Sequence, residues 1–191
     1  MNTVTPSTSS AGQSIAHPLD EFYARSGLSL PPLDQVDGEA VPEPYKSLLV
    51  HERDMTSTLE NFHKTGIHLR LVSRQQRGDQ YCREVVLALD GSEKPVEFGA
   101  IKIHLNRFSE QARQEILREH FPLGHILKDC GIEYQSRPKA FLRIASDKTI
   151  NVLLGLSGAH LLYGRRNTLL NQAGEPLAEI VEILPPASSM I

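Results

Sequence analysis

The feature that most limits this chain's fold is a series of short apolar runs with a two-residue repeat, each closed by turn chemistry. Residues 67–74 read IHLRLVSR, 80–89 QYCREVVLAL and 95–105 PVEFGAIKIHL. Asp90 and Gly91 separate the last two. Alternating apolar and polar residues over such lengths, bounded by glycine and aspartate, predict strands joined as hairpins. Residues 108–120, FSEQARQEILREH, change to a helical period. Ser109 suits its cap, and Phe108, Ala112, Ile116 and Leu117 its buried stripe. FPLGHILKDCG follows as a second short helix, with Pro122 in its first turn and Gly131 at its exit. Strand-like runs then return: AFLRIA, NVLLGL, HLLYGRRNTLL and PLAEIVEIL, the last two joined at Asn171–Gly174.

This order predicts an α+β fold, a mostly antiparallel sheet of about six strands with helices packed against one face. Strand–helix alternations are too few for a doubly wound fold. Residues 1–16 read as a polar tail rich in Ser and Thr. Residues 17–191 read as a single domain whose first part, to about residue 45, is a proline-rich arm carrying one short helix near Leu19–Ser26. The 191 residues suffice for a substantial core. A net charge of −3 argues against a general nucleic-acid binder. Two cysteines make no disulfide framework. Without a membrane-spanning run or a secretory leader, a cytoplasmic location is expected.

Several residues stand out for chemistry. HERDMTSTLENF, His51–Phe62, begins like a zinc-protease helix, but Met55 stands where the second histidine is needed. No metal ligand set is expected. Asp54 or Thr56 caps the helix that follows, which runs to about Lys64 and ends at Gly66. In QYCREVVLAL, alternation puts Tyr81, Arg83, Val85 and Leu87 on one face. Arg83 is either a wet strand-end charge or a planar fork for a carboxylate. In YGRRN, Arg165 and Arg166 point to opposite sides, so one of them faces any given pocket. In PLAEIVEIL, Glu182 lies between large aliphatics on the face of Ala178, Ile180 and Leu184. If buried, it must be paired, hydrogen-bonded or neutralised. Glu179 lies on the other face. FPLG could bring backbone close to a ligand. No phosphate loop, nucleotide fingerprint or serine-hydrolase elbow occurs.

Taken in order, RDMTSTLE, YCREVVL, FPLG, LYGRRN and VEILPPAS resemble the chorismate pyruvate-lyase family, over about Leu48 to the C-terminus. The resemblance implies a chorismate lyase-like sheet around an internal ligand cavity. It implies a cofactor-independent carbon–oxygen lyase that converts chorismate to 4-hydroxybenzoate and pyruvate, for ubiquinone or other phenolic compound biosynthesis. It carries over Met55, Arg83, Leu123 and Glu182 as ligand-binding residues, with Glu179 the rival of Glu182. Arg165 and Arg166 match the family's arginine pair and are carried over as substrate-binding residues too, one of them to receive the enolpyruvyl carboxylate. Arg83 and Glu182 would be the catalytic residues, Arg83 gripping the ring carboxylate and Glu182 the hydroxyl end. The N-terminal arm and a short segment between Gly66 and Tyr81 depart from the family's pattern.

The expected partner is therefore chorismate, with no nucleic acid and no membrane, and with the oligomeric state left open, a monomer included. Two other functions fit the same residues. One is a non-catalytic sensor of small aromatic acids, such as the effector-binding parts of bacterial transcription regulators. The other is an enzyme of the same fold that makes a different hydroxybenzoate. The short, proline-rich upstream segment leaves no length for a helix-turn-helix, which weighs against the sensor.

Overall fold

The computed structural model describes residues 14–190. The tail expected over 1–16 thus lies mostly outside the described residues, although Ala16 is fully buried. Helix α1 (Leu19–Arg25) leads to a short strand β1 (Leu33–Val36) and helix α2 (Tyr45–Leu49). Helix α3 (Met55–His63) is followed by an antiparallel meander of β2 (Ile67–Arg77), β3 (Gln80–Leu89) and β4 (Pro95–His104). Helices α4 (Glu110–Arg118) and α5 (Leu123–Asp129) come next, then β5 (Gln135–Ala145). Helix α6 (Lys148–Leu154), β6 (Leu161–Leu170), β7 (Pro176–Leu184) and a last helical turn α7 (Ala187–Met190) complete the chain.

The strands form one sheet in the order β1-β5-β6-β7-β4-β3-β2, antiparallel at every junction. It has seven strands, not about six. The added strand is β1, which the proline-rich arm lays along the edge of β5. NVLLGL is not a strand but belongs largely to α6. Asp147 accepts a hydrogen bond from the Ile150 amide at 2.8 Å and caps that helix, and Gly155 ends it at φ +65°. A cap and a left-handed exit make a helix of this short apolar, leucine-rich run.

Helices cover both faces of the sheet rather than one. Leu19, Phe22 and Tyr23 of α1 and Ile150 and Leu154 of α6 pack on Val86, Phe98, Ala100 and Val181. On the opposite face, α4 and α5 bury Ile116, Ile126 and Leu127 against Tyr81, Ile101 and Ile103. Beside them α2 and α3 bury Leu49, Met55 and Leu59 against Leu87, Val96 and Leu184. Each fully buried aliphatic side chain contributes about 1.5–3 kcal/mol. Within the α4 stripe, Phe108, Ala112 and Ile116 are buried as expected, but Leu117 is 40% exposed.

Asp54, rather than Thr56, caps α3, accepting from the Ser57 amide at 2.8 Å. The helix closes at Lys64, which takes the left-handed conformation itself. That cap sets Met55 at the first turn of α3, facing the sheet.

Candidate functional site

Between the sheet and helices α3 and α5 lies a cavity of about 60 Å³. Met55, Arg83, Leu123 and Glu182 all line it, so the structure gathers four of the six residues singled out from sequence. Asp54, Glu97, Gly99, Gly124 and Asn167 complete its polar and small-residue wall, and Val85, Leu87, Ile101, Leu127 and Ile180 most of its apolar wall. The expected internal ligand cavity is thus present only as a void holding on the order of four waters. It is far smaller than a chamber for chorismate.

Arg83 is in the middle of β3, opposite Ile101 of β4, and is 1% exposed. One terminal nitrogen, Nη2, donates to the Phe121 carbonyl at 3.3 Å. Its Nε and Nη1 have no hydrogen-bond partner among the described residues. Burial pushes its pKa down, opposed mainly by Tyr81 and Glu119. Those two are engaged with each other, the Tyr81 hydroxyl donating to Glu119, which also pairs with the exposed Arg74. Arg83 is therefore a buried cation with open donors.

Arg165 presents the contrary case. It is fully buried, and Nε donates to Glu182 Oε2. Nη1 donates to the Leu49 carbonyl at 3.2 Å and the His51 carbonyl at 3.0 Å, and Nη2 to the Arg53 carbonyl at 3.1 Å. It clamps the loop that delivers Asp54 and Met55 to the cavity. His51 Nδ1 accepts from the Arg53 amide at 3.1 Å, and Nε2 lies 2.7 Å from the Leu48 carbonyl, which it meets as donor. Burial, then the Arg165 charge, brings the His51 pKa down to about 4. The stretch His51–Arg53 thus has a structural task that its sequence did not disclose.

Arg166 and Glu179 lie on the far face. Arg166 donates to the Ser14 carbonyl at 3.1 Å, and its Nη2 is 4.0 Å from Glu179. Glu179 also faces His17 and His104, at 3.8 and 3.7 Å. The cavity therefore receives Glu182 and not Glu179, while Arg165 stands behind Glu182.

Sequence reasoning passed over Glu97. It is 4% exposed, lines the cavity, and its Oε2 has no hydrogen-bond partner among the described residues. Burial and then the neighbouring Glu182 carboxylate raise its pKa well above the usual range. The signal was available: in PVEFGAIKIHL, Glu97 shares a face with Gly99 and Ile101. No cluster of metal-ligating side chains occurs among the described residues.

No protein-family profile matches the chain, and no curated protein does. Solved structures do. PhnF from Mycobacterium smegmatis aligns at TM-score 0.55 and 13% identity, over 93% of this chain and 96% of that one. The effector domain of PhnF aligns at 0.52 and 14%, over 69% of this chain and 87% of that one. YydK, the "possible transcriptional regulator" of Bacillus subtilis subsp. subtilis str. 168, aligns at 0.50 and 12%, over 90% and 92%. The likeness shows the fold: an effector-domain fold of the kind found in transcription regulators.

These comparisons correct the expectations drawn from the resemblance. The α+β sheet-and-helix architecture stands, but its likeness is to regulator effector domains and not to chorismate lyase. The carbon–oxygen lyase activity, the catalytic roles of Arg83 and Glu182, and the place in ubiquinone or phenolic biosynthesis lose their support with it. Short motifs in the same order do not by themselves carry an activity, which resides in the site rather than in the scaffold. The exclusion of nucleic acid also falls. It rested on net charge alone, and a solved structure that the chain resembles is described as a possible transcriptional regulator.

Proposed function

We propose that the chain is a non-catalytic, small-molecule-sensing effector domain whose cavity takes a small carboxylate, an aromatic acid fitting best. The single observation that carries this is Arg83, a buried guanidinium that lines the cavity and has two nitrogens without a hydrogen-bond partner among the described residues. A fork of this shape matches a carboxylate in geometry and charge. Met55 and Leu123 would supply apolar surfaces for a flat ring. Binding would enlarge the void by moving the Phe121–Gly124 turn, whose Phe121 is 48% exposed and whose carbonyl holds Arg83. A displacement there is the local event a regulator could read. The reading assigns DNA contact to a separate basic unit, in the same chain or another, because this domain carries −3.

The test is calorimetric titration of the purified protein with benzoate and 4-hydroxybenzoate, together with incubation with chorismate. Saturable carboxylate binding that Arg83→Met abolishes, and no pyruvate released, is the expected result. Release of pyruvate, or binding indifferent to Arg83, would overturn the reading.

A further inference from the structure

Two carboxylates, those of Glu97 and Glu182, line the same cavity. Gly99 of β4 is the ladder partner of Glu182 on β7. Glu97, two residues earlier on the same face, folds back over Gly99: a Cβ built there would stand 3.1 Å from Glu97 Oε1. The absent side chain at residue 99 is what makes room for the Glu97 carboxyl beside Glu182.

The two acids are not equivalent. Glu182 has Arg165 as its ion-pair partner. No basic side chain pairs with Glu97 among the described residues, and its Oε2 is buried without a hydrogen bond. The ionisable groups around it are Asp54 at the cap of α3, Arg83 on β3 and Glu182 on β7, with Arg165 of β6 behind Glu182. Helix α5 adds only Leu123, Gly124 and Leu127. A single arginine already neutralises Glu182, so a second buried negative charge beside it would stand uncompensated.

We infer that Glu97 is a ligand-binding residue that offers an acid O–H to the cavity, so that the domain selects a carboxylate bearing a hydrogen-bond acceptor oxygen at its opposite end. The inference rests on the sensor reading for its first anchor, Arg83, and adds the second. The direction of its pKa, raised by burial and by Glu182, agrees with a proton held at neutral pH. A ligand with a carbonyl or ether oxygen satisfies the open donor. A bare ring leaves it unpaired, and a ligand that brings only another donor finds no use for it.

Three probes separate these cases: benzoate, 4-formylbenzoate with an acceptor, and 4-aminobenzoate with a donor. The wild-type protein is expected to bind 4-formylbenzoate about tenfold more tightly than either of the others. Glu97→Gln, which keeps a neutral donor, should keep that order. Glu97→Leu, which replaces an unpaired buried acid by an apolar group, should fold and bind all three equally. A wild-type preference for 4-aminobenzoate, or an order unchanged in Glu97→Leu, overturns the inference. A carboxyl ¹³C titration gives a readout free of ligand: Glu97 found ionised at neutral pH overturns it while leaving Arg83 untouched. Failure of all three probes to bind overturns the sensor reading, and the role of Glu97 with it.

Discussion

Arg165 and Glu182 face each other across the β6–β7 ladder, and the same guanidinium that pairs with Glu182 also holds the carbonyls of Leu49, His51 and Arg53. One side chain therefore ties the last strand to the loop that begins α3. The cavity wall at Met55 and the carboxylate at Glu182 are positioned by a common support.

Arg165→Met should destabilise the domain by about 3–5 kcal/mol, because it strands a buried carboxylate and frees three carbonyls. Urea denaturation monitored by circular dichroism measures it. Adding Glu182→Leu should recover part of that loss. A double variant no more stable than the single one would mean that the backbone carbonyls, and not the ion pair, carry the effect.

Arg83→Met should act in the opposite sense on stability. A buried cation without a carboxylate costs free energy in the empty domain, so its removal is expected to leave stability unchanged or raise it by about 1–3 kcal/mol. Carboxylate binding should be lost in the same protein. Loss of stability on the scale seen for Arg165 would show that Arg83 is a structural residue.

Gly164→Ala tests how closely β6 approaches β7. The new Cβ would overlap the backbone oxygen of Glu182, which cannot rotate away. A loss of about 3 kcal/mol or more is expected in the same unfolding assay. Gly174→Ala is a useful contrast, since only its φ of +78° opposes the change and nothing lies within 4 Å. Its loss should be about 1 kcal/mol.

The acid limb of stability should depend on His51. Its pKa is brought down to about 4 in the folded domain from 6.5, by burial and by Arg165, with Arg53 adding and Asp54 opposing. The unfolded chain binds the extra proton between these values, so stability should fall as pH drops from about 6.5 to 4. With His51 half-buried, roughly 2 kcal/mol is expected over that window. His51→Gln should flatten it. Glu97 has the reverse sign: its raised pKa supports the fold at low pH and costs stability as pH rises through its titration. Thermal midpoints from pH 4 to 8 for wild type and each variant resolve the two.

The face on which a side chain lies was legible wherever a strand kept its alternation. Arg83 does share a face with Val85 and Leu87, and Glu182 with Ile180, and all of them line the cavity. The capped start of α3 at Asp54 was legible too. Alternation failed at NVLLGL, where composition favoured a strand and the Asp147 cap produced a helix. It was silent about β1, whose four residues are too few for a pattern.

Local periodicity ranks residues along one element, and that is as far as a single sequence reached: an α+β chain, antiparallel hairpins, Arg83 and Glu182 each on a definite face. The partners across elements depended on strand order. Because β7 inserts between β6 and β4, Glu182 meets Arg165 on one side and Gly99 on the other, with Glu97 folded above that glycine. Residues far apart in the chain thereby share one low-dielectric space, where a charge must find a partner or give up its proton. That long-range pairing satisfies Arg165, leaves Arg83 open and brings Glu97 into the site. None of these consequences can be read from neighbours in sequence.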